Sequence, residues 1–421
     1  MPGGRRPRRR RRGGKSASCI DCLGEDILFE IFLRLPSLAT LIRAALTCRA
    51  WRSAVASSPS FRRRFRALHP APTLGLFFSP FGPVQYPNAP AFPAFVPTRR
   101  PDRDLAAAVR GGDFFLTSIQ HLHGPDMPPC WDVFDCRDGF LMLNDWDECL
   151  LLLFNPLSRS NRGSFLSSED ILDDCRGCGV MVDPQFIYSE EDPSSFRVVW
   201  LAHDESRVRA AVFSSDTWEW RNLPWFQVLR RPRADRQWVM KGMQANGMFI
   251  YWVCNNRESI ITLDTTTMEF SLSDLPQYLR NREVNFVIGE TRNGAPCIVY
   301  AFELFVGVFL RTTDDTGVER WELGRLVDLG TRIQHLLRDL PDDLDEMMNV
   351  VAIRNGFVYL ATSKMHHDPR NPCWFLSLCL ETMELEKLFQ RTFDGDVCPY
   401  VLSWPRSLVG NYGKFALEVA P

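Results

Sequence analysis

The stretch Val350-Val351-Ala352-Ile353-Arg354-Asn355-Gly356-Phe357-Val358-Tyr359-Leu360-Ala361 reads as two apolar strands joined by an Asn-Gly turn. Asn-Gly and Asp-Gly favour the type I′ turn, because both central residues take positive φ and the turn's twist matches that of an antiparallel pair. The same signal recurs. Asp138-Gly139 joins Val133–Cys136 to Phe140–Leu143, Asn246-Gly247 leads into Met248–Val253, and Asn293-Gly294 separates Asn285–Ile288 from Cys297–Ala301. Gly139 and Gly247 stand 108 residues apart, two steps of 54, and the next steps are 47 and 62. A hairpin-like turn at Glu190 to Ser194 lies midway in the long step, between Phe186-Ile187-Tyr188 and Arg197-Val198-Val199-Trp200.

A second mark keeps the same rhythm. Ser215-Asp216-Thr217-Trp218-Glu219-Trp220 resembles Thr265-Thr266-Thr267-Met268-Glu269-Phe270 and Glu381-Thr382-Met383-Glu384-Leu385, with Trp321-Glu322-Leu323 a fainter copy. In each, a strand ends in a polar turn and a new strand opens. A weak repeat of about 50–60 residues, each unit one small antiparallel sheet, is the signature of a β-propeller of kelch-like spacing. A pair of irregular β-sandwiches has no reason to repeat its turn chemistry at an interval. Residues 71–421 have room for six or seven blades. Radial closure removes exposed edges, and the closing strand is expected near Tyr400 to Trp404.

Ahead of the propeller, residues 20–68 carry helical periodicity. Leu23, Ile27, Leu28, Ile31, Phe32 and Leu35 form one apolar stripe. Pro36 stops that helix and Ser37 can cap the next, whose stripe is Leu38, Leu41, Ile42, Ala45 and Leu46. Trp51 and Val55 mark a third short helix before Ser57-Ser58-Pro59-Ser60. So small a three-helix core needs a partner or a neighbouring domain. Its surplus apolar surface is a protein–protein site. The fold class is therefore α+β multidomain, a small three-helix module followed by a mainly antiparallel all-β propeller.

Residues 1–19 are Gly, Pro, Arg and Ser, a composition that cannot offset its ordering entropy. Arg8, Arg9, Arg10, Arg11 and Arg12 are a candidate nuclear import signal, which implies a place in the nucleus, the cytoplasm or both. Eight basic residues fall within residues 1–15, leaving 41 of the 49 basic residues against 51 acidic ones, a net of −10 for the rest. An acidic body argues against nucleic-acid binding beyond non-specific contact by the tail. The start does not read as a secretory signal, and thirteen cysteines are expected as free thiols in a reducing compartment. No apolar run reaches the roughly 18 residues of a membrane span; Ile298 to Leu310, the longest, contains Glu303.

The segment Leu23-Gly-Glu-Asp-Ile-Leu-Phe-Glu-Ile-Phe-Leu-Arg-Leu-Pro36, continued by Leu38-Ala-Thr-Leu-Ile-Arg-Ala-Ala-Leu-Thr-Cys48-Arg-Ala-Trp51-Arg52, resembles an F-box. The family pattern runs Leu-Pro, an amphipathic helix, Leu-Pro, a second helix, then Cys-Arg-x-Trp. The β part is similar to the F-box-associated propeller of plant F-box proteins, grasses especially, and Pro399-Tyr-Val-Leu-Ser-Trp-Pro405 fits that group. The resemblance implies docking on a Skp-type adaptor by Leu23, Ile27, Leu28, Ile31, Phe32, Leu35, Pro36, Leu46, Cys48 and Trp51. It implies a cullin–RING scaffold beyond the adaptor, and a target protein held by the propeller for ubiquitination. The resemblance thus implies a non-catalytic subunit of an SCF-type ligase. A nuclear interaction scaffold without ubiquitin transfer is the alternative. Gly24 departs from the family pattern, which has Pro there; Pro preorganises the first turn, so weaker adaptor binding is expected.

Chemistry beyond binding finds little support. Cys19-Ile-Asp-Cys22 and Cys175-Arg-Gly-Cys178 are too far apart in sequence to read as a paired zinc site, even with His121 and His123. Gly14-Lys15-Ser16 lacks the preceding strand and first glycine of a phosphate loop. His366-His367 and the acidic groups Asp342, Asp343, Asp345, Glu346 and Glu169, Asp170, Asp173, Asp174 read as solvated loops. No metal or other cofactor is expected. An enzyme built on the propeller would show acids converging on its axis. Candidate target-contact loops are Asp102–Asp113, Ser167–Arg176, Leu229–Arg236 and His366–Asn371.

Overall fold

The computed structural model describes residues 24–79, 92–98, 102–120, 131–145, 150–158, 164–167, 180–189, 192–229, 237–281, 284–313, 319–337, 348–362, 373–392 and 395–409. The opening module has four helices: α1 Glu25–Leu33, α2 Leu38–Ala45, α3 Arg49–Ser57 and α4 Pro59–Leu68. Ser37 caps α2 as its sequence suggests, accepting from Thr40 N. The sequence pattern counted three helices because Ser57-Ser58-Pro59-Ser60 looked like an exit. It is a helix-to-helix junction. Ser58 accepts from Phe61 N and Pro59 occupies the first turn, where a missing N–H costs nothing.

Six sheets follow, the six blades of a propeller. The first is built from both ends of the chain: β1 (Thr73–Phe78) pairs β2 (Ala94–Pro97) on one side and the last strand, β24 (Val397–Val401), on the other. Between β2 and the second blade lies α5 (Arg103–Gly111). The second blade is β3 (Trp131–Arg137), β4 (Phe140–Asp145), β5 (Leu150–Phe154) and β6 (Ser164–Ser167). The third is β7 (Val180–Ser189), β8 (Asp192–His203), β9 (Arg207–Ser214) and β10 (Glu219–Asn222), with β11 (Phe226–Gln227) also on β9. The fourth is β12 (Met243–Ala245), β13 (Phe249–Val253), β14 (Ser259–Asp264) and β15 (Glu269–Asp274). The fifth is β16 (Asn285–Glu290), β17 (Pro296–Phe302), β18 (Phe305–Thr313) and β19 (Glu319–Asp328), followed by α6 (Gly330–Leu336). The sixth is β20 (Asn349–Arg354), β21 (Phe357–Ala361), β22 (Cys373–Cys379) and β23 (Leu385–Arg391). All pairings are antiparallel. The closing strand starts earlier than Tyr400: Phe77 faces Cys398 and Leu76 faces Pro399, and the chain leaves the sheet after Val401.

The turns explain the repeat. Asp138-Gly139, Asn246-Gly247 and Asn355-Gly356 have both residues at positive φ, between 49° and 77°, and each links a blade's first two strands. Asn293-Gly294 departs from this. Only Gly294 is at positive φ (84°), because the connection runs from Thr291 to Ala295, whose backbones bond each other at 2.9 Å. The mark Thr217-Trp218-Glu219, Thr267-Met268-Glu269 and Thr382-Met383-Glu384 is a second shared turn. Trp218, Met268 and Met383 take φ of 61°, 59° and 56°. Each donates its N–H to the carbonyl four residues back, at 2.8 Å. Trp321-Glu322-Leu323 is not such a turn; it lies within β19.

The blades bury both faces. Six apolar clusters each bridge neighbouring sheets, such as Phe134, Met142 and Leu151 of the second blade with Phe186, Val198 and Phe213 of the third. The central strands therefore read as continuous apolar runs. A seventh cluster holds the helices together and draws in Trp404, Leu408 and Val409 from beyond the closing strand.

Candidate functional site

On α1 the apolar stripe divides into two rows. Ile27 and Ile31, four apart and so one above the other, are 55% and 46% exposed. Leu28 and Phe32 form the adjacent row and are buried. Leu46 is 55% exposed at the C-terminal end of α2. Ile27, Ile31 and Leu46 are thus the large solvent-facing apolar side chains among the described members of the set. Leu28 and Phe32, counted in the sequence pattern as adaptor contacts, point inward and carry the helical core. Trp51 is half-buried and meets the Phe32 ring edge-on at 5.4 Å, the geometry of an internal anchor. Leu35 and Cys48 are half-buried and Pro36 is exposed. Leu23 and Arg8 to Arg12 lie outside the described residues.

Gly24 starts α1 without strain. Its carbonyl accepts from Ile27 N and Leu28 N, both at 3.1 Å. Its φ is −58° and a Cβ there would meet nothing within 4 Å. That φ is one proline adopts. Gly24→Pro is expected to stabilise the module by about 0.4–1 kcal/mol through the unfolded chain. A higher melting temperature, with adaptor capture undiminished, is the outcome to check.

The module is fastened to the propeller at the end where the Asx-Gly turns lie. Arg292, in the turn between β16 and β17, donates to Ala67 O at the end of α4 and to Glu381 Oε2 at 2.6 Å. Arg43 of α2 pairs with Asp104. The segment Asp102–Asp113, expected as a target-contact loop, is instead mostly α5, capped by Asp102 through Leu105 N at 3.2 Å and bracing α2. The other candidate loops fall largely or wholly outside the described residues, as do Cys19, Cys22, Cys175, Cys178, His121, His123, Gly14-Lys15-Ser16, His366-His367 and both acidic groups. The seven described cysteines are free thiols.

Two polar clusters occupy the axis. Where the inner strands end, Asp135 pairs with Arg354, and Arg137 sits 3.5 Å from Glu290 and 3.6 Å from Asp135. Glu290 also accepts from Asn246 N at 3.1 Å and Asn355 N at 3.0 Å. These contacts tie the second, fourth, fifth and sixth blades together. Where the inner strands begin, Lys241 pairs with Asp396, Asp183 stands nearby, and Asp132 accepts from Ser79 Oγ. Burial pulls the Lys241 ammonium down, but Asp396 and Asp183 outweigh it and the net shift is upward. Burial pushes the Asp132 and Asp183 carboxyls up. Acids do converge on the axis, the feature an enzyme would show, but a lysine stands among them. Among the described residues no group of His, Cys, Asp or Glu is placed to hold a metal.

Between the helices and the turn ends of the blades lies a cavity of about 1600 Å³. Its walls run from Arg63 and His69 of the module to Tyr188, Arg197 and Met248 of the third and fourth blades, with Arg137 and Glu290 at its floor. Sequence reasoning did not foresee the cavity, the axial clusters or the role of Trp404. The one visible signal was charge inside apolar inner strands, as in Asp132-Val133-Phe134-Asp135-Cys136-Arg137.

A four-helix module with an exposed apolar row, mounted on a six-bladed propeller, defines a two-part binding protein. Residues 20–67 match the F-box-like family and residues 132–407 match the family described as F-box protein AT5G49610-like, beta-propeller. The second match spans well over half the chain, and the protein belongs to that family. An F-box-like domain is in general a module that binds a Skp-type adaptor, and F-box propeller proteins are typically non-catalytic adaptors. A search of curated proteins gives no significant match. Among solved structures, a protein of unknown function from Bacteroides caccae is 10% identical, covering 65% of this chain and 89% of its own, with a TM-score of 0.36. A chain of a nidogen/laminin complex is 12% identical, covering 78% and 99%, also at 0.36. A putative 6-phosphogluconolactonase from Bacteroides uniformis is 11% identical, covering 66% and 72%, at 0.31. At these scores the likenesses carry no functional argument.

Proposed function

We propose that this protein is the substrate-recognition subunit of an SCF-type ubiquitin ligase. The F-box docks a Skp-type adaptor bound to a cullin–RING scaffold, and the propeller holds the target. The exposed side chains Ile27, Ile31 and Leu46, beside a buried row of Leu28 and Phe32 that forms the module's core, carry the reading. An adaptor covering these three side chains gains about 1.5–3 kcal/mol for each one fully buried. Catalysis by proximity then needs no nucleophile here, because the target's lysines are held near a ubiquitin thioester on another subunit. Nuclear or cytoplasmic residence, with Arg8 to Arg12 as the import signal, is part of the same proposal.

The test is capture of purified adaptor–cullin by the full chain and by an Ile27→Asp, Ile31→Asp, Leu46→Asp variant. All three sites are exposed, so the fold survives the change. The expected result is at least a hundredfold weaker capture by the variant. Failure of the intact chain to bind micromolar adaptor sinks the reading. Adaptor binding without ubiquitin transfer to any bound protein favours the scaffold alternative.

A further inference from the structure

The helical module does not cover the turn face of the propeller evenly. Its fastenings reach Arg292 and Glu381 of the fifth and sixth blades and α5 beside the first. The segment after β24 adds Ser403 against Gly139 of the second. The turn ends of the third and fourth blades, at Tyr188 and Asn246-Gly247-Met248, face the cavity instead. A volume of about 1600 Å³ exceeds the roughly 300–1,000 Å³ of a small-molecule pocket and suits a length of extended chain.

The charges on its walls are not balanced by their own neighbours. Every carboxylate there is already engaged. Asp104 pairs with Arg43, Asp102 caps α5, Glu290 holds Arg137 and two backbone N–H groups, and Asp138 and Glu386 have partners too. The side chains of Arg197 on β8 and Arg63 on α4, one on each wall, have neither a hydrogen bond nor an ion pair among the described residues. Arg197 is half-buried. Burial pulls its guanidinium pKa down, and only the more distant charge of Asp216 opposes this. An arginine that has lost water without gaining a partner is held at a cost, which an incoming anion offsets. Beside it, Met248 is 49% exposed, and Tyr188 is covered on one side by the Arg406 guanidinium, 5.4 Å from its ring centre. Methionine, tyrosine and arginine are residue types enriched at the centres of protein interfaces.

We infer that this cleft receives an extended acidic segment of the target protein, with a carboxylate on Arg197, a second near Arg63 and an apolar side chain on Met248. The inference rests on the reading of the propeller as a target receptor. A nucleic acid does not fit, because the cleft's cations without an anionic partner among the described residues, Arg63, Arg197 and Lys387, sit on three different elements, α4, β8 and β23, rather than in a basic stripe along one face. Arginine is the residue suited to this task, since its planar fork meets a carboxylate with two parallel donors.

Fluorescence anisotropy on the full chain tests it. The probes are a fluorescein-labelled peptide of repeated Glu-Leu-Asp-Gly and its counterpart with Lys at every acidic position. The acidic peptide is expected to bind and the lysine peptide not. Arg197→Gln is expected to weaken the acidic peptide about tenfold, as the loss of one charge-assisted pair, while Arg197→Lys, which keeps the charge but not the two-donor fork, weakens it by less. The Arg-rich residues 5–12 are common to all variants, so differences among them report the cleft. Unchanged binding by a folded Arg197→Gln protein, or equal binding of the lysine peptide, overturns the inference. Adaptor capture by the same variants separates the two proposals. Arg197→Gln is expected to retain the adaptor, and the Ile27, Ile31, Leu46 variant to retain the peptide. Loss of adaptor capture with Arg197-dependent peptide binding refutes the ligase reading alone.

Discussion

Trp404→Ala is expected to loosen the F-box while leaving the propeller closed. Trp404 follows the closing strand but belongs to the helical core. Its ring meets Phe65 edge-on at 5.9 Å, carries the Arg66 guanidinium at 5.2 Å, and donates Nε1–H to Leu408 O at 3.2 Å. Truncating a buried tryptophan costs about 3–5 kcal/mol. A module this small has little stability in reserve. The propeller keeps β24, its pairing with β1 and the Tyr400 hydroxyl bond to Gly139 O at 3.0 Å. We therefore expect faster proteolysis confined to residues 24–68, loss of helical circular dichroism signal ahead of strand signal on heating, and at least tenfold weaker adaptor capture. Trp404→Phe should restore most of it. An unchanged melting profile and adaptor affinity would mean that the module folds independently of the propeller.

Glu290→Ala attacks the propeller itself. Its carboxylate is 3% exposed and serves Arg137 and the backbone N–H groups of Asn246 and Asn355, one in each of two turns. Removing it leaves two part-buried donors without their acceptor and leaves Arg137 with Asp135 and Gln244 O. Breaking a buried pair from one side costs about 3–5 kcal/mol, so the urea midpoint of the propeller should fall accordingly. Glu290→Gln, which keeps an acceptor, should cost less. The same network sets an acid limit. Burial raises the Asp135 carboxyl, but Arg354 and Arg137 outweigh it and hold it below its ordinary value of 3.8. A depressed carboxylate adds stability that is present above pH 3.8 and is lost as pH falls through its lower folded value. Asp135→Asn should remove that part of the acid dependence, at a cost in stability at neutral pH. An acid limb of the same steepness in the variant would count against the axial network.

How much was legible follows the range of each interaction. Asp138-Gly139, Asn246-Gly247 and Asn355-Gly356 announced their turns because positive φ at two successive residues is a local demand. Asn293-Gly294 misled because the same dipeptide also fits a longer turn in which Thr291 bonds Ala295. The blade count stayed between six and seven because the first blade, three strands among the described residues, pairs β1 and β2 with the distant β24, and no local pattern marks such a pairing. Periodicity found the stripe on α1 but could not assign its two rows. Ile27 and Leu28 are equally apolar, and which row faces water depends on where α3, α4 and Trp404 sit.

The sequence by itself determined the element types, the antiparallel hairpins, the repeat that makes a propeller and the helical module ahead of it. These rest on backbone preferences and apolar periodicity, which act over a few residues. Only the tertiary structure decided that Leu28 and Phe32 are core while Ile27, Ile31 and Leu46 face solvent. It alone joined Trp404 to Phe65, set Glu290 between Arg137 and two turns, and left Arg197 beside an open cleft. Each of these depends on residues brought together from distant parts of the chain. Whether a side chain is buried, paired or free is a property of those neighbours rather than of the residue.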